Sequence, residues 1–493
     1  MCGLAAILSL SGAPVARSDL ARMASVLEHR GPDQAACAIT AGGSVGVAHT
    51  RLSVVDIAGG QQPLFSEDGS LLLAYNGEIY DHDELRKELT ARGARFRTRS
   101  DTEVILRLYE AYGLDALQRL NGEFAFLLYD GRLRRLFAVR DYAGIKPLYL
   151  QQTPTEVVFA SECKAIFALG RSRRALAKDY LTGPLWGVFP DAYSAFEGVE
   201  SVKPGHVLIL DRGGRREERR YHHQVYAHDR VRSFEEAKSA VREAVQRAVQ
   251  RRLVADVDAH VYLSGGLDST IVCGEVAKAG RPFSAYSIAF PGSDYDESPR
   301  AERVARHFGA EFRRLDCRME DLARELPRTM LHTESVVVNP GSVAKLLLSR
   351  LVRADGRRVC LTGEGADELF AGYPYFKLET LWRMLKRGGE DAKRANELMK
   401  RFRAMETRSE GIHWNRNAPW RRLEPLFGYP SFHQTRASEY GRLIPWLFET
   451  ADLGIGPDDT PEGAFRRGFD LRRMRELHPM DASREVTFRQ LYG

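Results

Sequence analysis

Two stretches combine residue types that do chemistry. The first is Ser264-Gly265-Gly266-Leu267-Asp268-Ser269, which follows the apolar run His260 to Leu263. Two glycines allow a tight turn that brings backbone N–H groups close to an anion. The segment Asp268 to Ala279 reads as a helix with Ile271, Val272 and Val276 on one face, and with Asp268 and Ser269 as cap and first turn. A helix N-terminus there would add partial positive charge, so the loop is suited to a phosphate or pyrophosphate. No Gly-Lys-Ser/Thr follows and the G-x-G-x-x-G spacing is absent, which excludes a Walker loop and a dinucleotide fingerprint. The second stretch is the start of the chain. Removal of Met1 would leave Cys2 with a thiol and a free α-amine titrating near ~8, so that one residue is both nucleophile and base.

Each stretch resembles a known family. S-G-G-L-D-S is similar to the pyrophosphate loop of ATP pyrophosphatases, which implies adenylation chemistry with ATP held by Leu263, Ser264, Gly265, Gly266, Asp268 and Ser269. Met1-Cys2-Gly3-Leu4 resembles the start of class II glutamine amidotransferases, the N-terminal-nucleophile hydrolases. Further matches follow in order: His29-Arg30-Gly31-Pro32-Asp33, His49 through Asp56, Asn76-Gly77-Glu78-Ile79-Tyr80, Ser100 through Val104, Asn121 through Phe126, Arg140 through Tyr149 and Phe159 through Lys164. The resemblance implies that Cys2 attacks the glutamine side-chain amide and releases ammonia. Asn76 and the Gly77 N–H would stabilise the oxyanion. Arg51, in the segment Arg51-Leu52-Ser53-Val54-Val55 that would line the glutamine site, suits the substrate carboxylate because its planar fork matches one. Glu78 and Asp101 suit the ammonium.

In the second half, Ile288 lies where family members let the backbone meet adenine, and Tyr295-Asp296-Glu297 matches their Y-D-E. Thr362-Gly363-Glu364-Gly365-Ala366-Asp367-Glu368 through Tyr373 resembles the S-G-E-G-x-D-E segment of asparagine synthetases. This implies that Thr362 and Gly363 contact ATP and that Glu364 assists formation or capture of β-aspartyl-AMP. Asp268 and Asp367 would hold Mg²⁺ on the pyrophosphate. The expected activity is therefore glutamine-dependent conversion of aspartate and ATP to asparagine, AMP and pyrophosphate. Two alternatives stay open: an amide-forming ligase acting on another carboxylate, and a glutaminase whose synthetase half is inactive. The second arises because the family's later A-x-S-x-E-x-R-x-P-F-L-D and R-x-K-x-x-F segments are not found. The synthetase domain is thus expected to be C-terminally incomplete, as a fragment, as a divergent protein, or completed by a partner chain.

These residues require particular elements. Short apolar strands are expected at 45–48, 71–75, 125–129 and 136–139, with helices at 85–91 and 103–111; the resemblance implies an αββα sandwich. Strands at 283–290 and 359–361 around a helix at 299–308 imply a parallel-sheet α/β domain, with ligands at the strands' carboxyl ends. The expected organisation is an amidotransferase domain over 2–215, a linker over 216–232, and a synthetase domain over 233–493 with a helical C-terminal region. Segment 212–220 reads as a solvated hairpin and 383–403 as one basic helix. Trp414, Trp420 and Trp446 carry no motif, and His413, His433 and His478 read as structural. The 493 residues, 44% hydrophobic with net charge +6, suit a globular enzyme rather than a nucleic-acid binder. Six cysteines without C-x-x-C spacing and the lack of an 18-residue apolar run point to a reducing, cytoplasmic setting without a membrane span. A homodimer stays open.

Overall fold

The computed structural model describes residues 1–177, 180, 194–227, 233–335, 337, 340–405, 428 and 469–492. Trp414, Trp420, Trp446, His413 and His433 lie outside them. The chain forms two compact units, one of residues 1–174 with 198–364, the other of 175–197 with 365–493.

The first unit begins with β1 (Gly3–Ser9), α1 (Arg17–Ser25), β2 (Gln34–Ile39), β3 (Val45–Arg51), β4 (Leu64–Phe65) and β5 (Leu71–Ile79). Then come α2 (His82–Ala91), α3 (Asp101–Tyr112), a 3₁₀ turn (Gly113–Arg119), β6 (Gly122–Asp130) and β7 (Arg135–Arg140). β8 (Tyr149–Gln152), β9 (Glu156–Ala160), α4 (Cys163–Phe167), β10 (Glu200–Ser201), β11 (His206–Asp211) and β12 (Arg216–Arg220) complete this part. The strands make two antiparallel sheets, ordered β10-β8-β9-β1-β3-β2 and β12-β11-β7-β6-β5-β4. Alternation decides the layering. Leu72 and Ala74 point from β5 into the core between the sheets, beside Leu4, Ala6 and Val47, whereas Leu71, Leu73 and Tyr75 point outward to pack under α2 and α3. With α1 and α4 against the first sheet, the result is the expected αββα sandwich. The hairpin at 212–220 is present, but its second strand β12 pairs along β11 from His206↔Arg220 to Leu210↔Arg216. Residues 216–220, assigned to the linker, therefore extend the sheet; their charged side chains face water while their backbone is paired.

The chain continues through α5 (Phe234–Arg252), β13 (Ala259–Tyr262), α6 (Leu267–Ala277), β14 (Ser284–Ala289), α7 (Ser298–His307), β15 (Glu311–Asp316), α8 (Met319–Thr333), α9 (Gly341–Ala354) and β16 (Val359–Leu361). The four strands form a parallel sheet ordered β15-β14-β13-β16, as the strand–helix alternation predicts.

The second unit contains α10 (Ala366–Phe370), α11 (Pro374–Arg387), α12 (Gly389–Met405), α13 (Leu471–Glu476) and α14 (Pro479–Tyr492). The expected single helix over 383–403 is two, because Gly388 and Gly389 both take positive φ (75° and 56°) and end α11. Tyr375 Oη donates to Thr487 Oγ1 at 3.3 Å, and the buried Glu379 accepts from Ser483 Oγ, which fixes α11 against α14. Among the described residues no helix is long and apolar enough to cross a membrane.

Candidate active site

Cys2 sits immediately before β1, opposite the end of β3. The Leu52 N–H donates to its Sγ at 3.4 Å. Two glycines permit this approach. A Cβ at Gly3 would lie 2.4 Å from Thr50 Oγ1, and one at Gly31 would lie 2.2 Å from the Thr50 carbonyl. The spacing of C-G and H-R-G-P-D thus reflects close packing around the last residues of β3. Arg30 Nε donates to the Cys2 carbonyl at 2.9 Å and its Nη1 to Glu162 Oε1 at 2.8 Å, where His29 Nε2 also bonds at 3.0 Å. Burial opposes ionisation of Glu162, but the bonds from His29, Arg30 and Lys164 prevail and hold its carboxyl at about 2. Burial pushes the Cys2 thiol up, against the pull of the chain's amino terminus, the Leu52 N–H and Arg51. The amine of Met1 is itself lowered to about 5, chiefly by burial.

The facing wall is the end of β5. Asn76 pairs with Ala125 and Gly77 with Phe124 of β6. A Cβ at Gly77 would fall 2.3 Å from the Glu123 carbonyl, so only glycine lets these strands meet. Asn76 is 1% exposed, and neither Oδ1 nor Nδ2 has a hydrogen-bond partner. A buried amide left without a partner is costly, and Asn76 has both polar atoms available to a group that enters the cavity. Asp101 opens α3, capped by Ser100; its Oδ2 accepts from Tyr75 Oη at 2.7 Å and from the Ile79 N–H at 3.1 Å. Burial, followed by the charge of Asp101, raises the Glu78 carboxyl to about 9. Arg51 is buried, and its guanidinium donates to the carbonyls of Val55, Asp56 and Ile57 at 3.0, 2.7 and 3.0 Å. That uses three of about five N–H groups and leaves capacity for a carboxylate.

Cys2, Arg51, Leu52, Val54, Val55, Asn76, Gly77, Glu78 and Asp101 line one cavity of about 250 Å³. Ser53 does not line it: its N–H donates to Asp33 Oδ2 at 2.7 Å and its carbonyl accepts from Arg358 at 3.4 Å, so it braces the wall from behind. Arg252, Val254, Ala255 and the stretch Arg358–Leu361 line the same cavity.

The second stretch lies at the carboxyl end of β13. Gly265 takes φ +79°, and a Cβ there would meet Ala301 N at 2.8 Å. Ser264 and Ser269 clasp the turn: their hydroxyls lie 3.0 Å apart, the Gly266 N–H donates to Ser264 Oγ at 3.2 Å, and Ser269 Oγ donates to the Gly266 carbonyl. The cap of α6 is Gly266 rather than Asp268, because the second glycine takes the extended conformation the cap needs; Asp268 lies in the first turn. The buried face is Ser269, Cys273 and Val276, with Val272 alongside, while Ile271 faces outward. A Cβ at Gly363 would lie 2.9 Å from both Asp268 Cβ and Ser269 N, so Thr362-Gly363-Glu364 runs against this helix start. The turn, its hydroxyls and the helix N-terminus fit a polyphosphate. Ile288, at the end of β14, is half-buried and packs inward among Phe290, Val343 and Leu315. Asp367 belongs to the second unit, where it lies one residue into α10. Glu364 pairs with Lys345 of α9.

Sequence reasoning missed the residues that join the two halves of the first unit. Asp256 accepts the Asp56 N–H at 2.8 Å and donates its own N–H to the Val54 carbonyl at 3.0 Å. Arg358 pairs with Asp33. Glu334 accepts the N–H groups of Cys163 and Lys164 at 2.5 and 2.7 Å. None carries a local pattern; each is a single residue acting across more than 150 positions.

Two family models match the chain. Residues 1–222 match a glutamine amidotransferase domain and residues 240–487 an asparagine synthase domain. Amidase chry2 of Gibberella zeae is 34% identical over 77% of this chain and 60% of its own length. Asparagine synthetase 3 of Bacillus subtilis, a glutamine-hydrolysing enzyme by name, is 33% identical over 76% of this chain and 64% of its own. The asparagine synthetase of Sandersonia aurantiaca is 32% identical over 76% and 68%. The chain thus spans roughly two thirds or less of the curated relatives it matches. A cavity lined by Cys2, and a parallel sheet with a glycine–serine turn at the carboxyl end of β13, occur here in one chain because it belongs to the glutamine-hydrolysing asparagine synthase family.

Proposed function

We propose that the protein hydrolyses glutamine at Cys2 and uses the ammonia, with ATP, to convert a carboxylate into an amide, aspartate to asparagine being the leading pair. After loss of Met1, the Cys2 amine takes the thiol proton and the thiolate adds to the glutamine amide carbon. Asn76 Nδ2 and the Gly77 N–H hold the oxyanion. Collapse gives a thioester and ammonia, and water then releases glutamate. Arg51 receives the substrate carboxylate. Glu78 and Asp101 receive its ammonium, whose charge would return Glu78 to its ionised form.

The turn Ser264–Ser269 orients the phosphates of ATP, with Ile288 beside the adenine and Thr362-Gly363 against the α phosphate. The acceptor carboxylate displaces pyrophosphate; ammonia then displaces AMP, with Glu364 assisting. Asp268, in the first turn of α6, would hold Mg²⁺ on the pyrophosphate and so neutralise the charge that develops on the leaving group. The observation that supports this reading is that Cys2, Asn76 and Arg358–Leu361 line one cavity, and that Leu361 runs directly into Thr362-Gly363-Glu364. Such a cavity would offer ammonia, which free solution would protonate, a start on an internal route. A second acceptor is favoured by the amidase names of two fungal relatives, chry2 and chyE: amide formation on another carboxylate.

The test is purified protein with Mg-ATP and ammonium, assayed for pyrophosphate and amide with aspartate and with a panel of other carboxylates. Pyrophosphate and asparagine together support the leading pair. Pyrophosphate only with another acid selects the second reading, and glutamine hydrolysis without any pyrophosphate refutes the ligase assignment.

A further inference from the structure

We infer that Glu334, on the synthase side of the first unit, is a positioning residue for the Cys2 nucleophile of the amidotransferase side. The inference rests on the proposed role of Cys2.

The geometry starts at the end of α8. Glu334 is its C-cap and takes φ +52°, a left-handed conformation that favours glycine or asparagine. A glutamate held there has a side chain with a task. Its carboxylate is only 8% exposed and bonds the first two N–H groups of α4, those of Cys163 and Lys164. Lys164 returns the contact by donating its Nζ to the carbonyl of Leu331 at 2.9 Å, and His332 lies against the His29 ring with centroids 4.7 Å apart. Segment 161–164 is therefore gripped from the synthase side.

The same segment sets the start of β1. Ser161 exchanges two hydrogen bonds with Leu4: its N–H donates to the Leu4 carbonyl and its Oγ accepts the Leu4 N–H, both at 2.9 Å. Glu162 holds Arg30, and Arg30 holds the Cys2 carbonyl. Two short routes thus lead from the clamped segment to the nucleophile: one along Ser161 to Leu4, the other through Glu162 and Arg30. Loss of the Glu334 carboxylate leaves two N–H groups without their acceptor and frees the segment to shift. Arg51 and the loop that holds it are not part of this chain of contacts. The effect should therefore fall on turnover rather than on glutamine binding.

The experiment uses the full chain with Glu334→Ala and Glu334→Gln. Glutamine hydrolysis is measured as kcat and KM, normalised to Cys2 thiols titrated with a glutamine-like chloroketone. Ammonium-dependent pyrophosphate release is followed in parallel. A misplaced nucleophile predicts that turnover per titrated thiol falls roughly ten- to a hundred-fold in Glu334→Ala, with the KM for glutamine and the pyrophosphate release held. Glu334→Gln, whose carbonyl accepts one of the two N–H groups, should fall between. A purely structural role lowers the number of reactive thiols and leaves the turnover of each unchanged, which overturns the inference; so does a rise in KM at constant kcat. If Glu334→Ala does not fold, the isosteric Glu334→Gln decides by the same criterion. Wild-type protein that hydrolyses no glutamine overturns the role of Cys2 and this inference with it, whereas active wild type with unaltered variants overturns the inference alone.

Discussion

Replacing Asn76 with alanine should separate activity from stability. The amide is 1% exposed and bonds no other described residue, so its removal breaks no bond among them. The small volume left behind loses about 1 kcal/mol of packing, and the unfolding midpoint in urea should stay close to wild type. Catalysis should behave otherwise. If Nδ2 donates to the oxyanion, its loss lowers kcat for glutamine hydrolysis about 10²- to 10³-fold, roughly 2.7–4 kcal/mol of transition-state stabilisation. The assay is glutamate release under saturating glutamine, alongside urea denaturation of the same preparation. A fall in stability of more than about 2 kcal/mol, or a kcat near wild type, refutes the assignment of Asn76 as a donor kept vacant for the reaction.

Cys2→Ala should abolish glutamine hydrolysis and leave ammonium-dependent pyrophosphate release; loss of both in folded protein contradicts the division of labour. Asp268→Ala should end pyrophosphate release while glutamate release continues, and unchanged pyrophosphate release removes Asp268 from the phosphate and metal site. Gly31→Ala puts a methyl 2.2 Å from the Thr50 carbonyl and should lower stability by about 1–3 kcal/mol together with glutaminase activity, read from urea midpoints and glutamate release. Glu162, brought from 4.5 to about 2 in the fold, contributes about 3 kcal/mol that is present above pH ~4.5 and lost as pH falls from there towards 2. Acid titration of Glu162→Gln should lack that slope, and an unchanged curve contradicts the buried cluster.

Much of the site was legible because it is encoded in short runs. Gly31 and Gly77 read in the sequence only as members of family motifs, and the structure adds that both mark close backbone approaches beside the residues that carry the chemistry. The sandwich is implied by the family resemblance; Leu71 to Tyr75 reads as one continuous apolar strand, and the structure shows why, since it is covered on both sides. What stayed hidden depends on long-range pairing. β12 is a string of charges, and only its partner β11 makes it a strand. The cap at Gly266 was misplaced because Asp268 and Ser269 are better cap formers on propensity, yet the turn needs extended backbone one step earlier. Ser53, inside a binding motif, bonds Asp33 instead of facing the cavity. Glu334, Asp256 and Arg358 are ordinary surface types until the fold brings them to distant backbone atoms.

The parallel strands act as a ruler. β13 and β16 are preceded by Asp256 and Arg358, which grip the loops around Val54 and Asp33, and are followed by Ser264 and Thr362, the residues of the proposed nucleotide site. Four residues of β13 span about 13 Å, and that length would help to set the separation between the two proposed sites. An insertion of two residues, in register for the pleat, would push one end away by about 7 Å while the sheet stayed paired. An amidotransferase module grafted onto another synthase would therefore need its gauge matched as well as its surface, since the spacing is written into strand length rather than into either site.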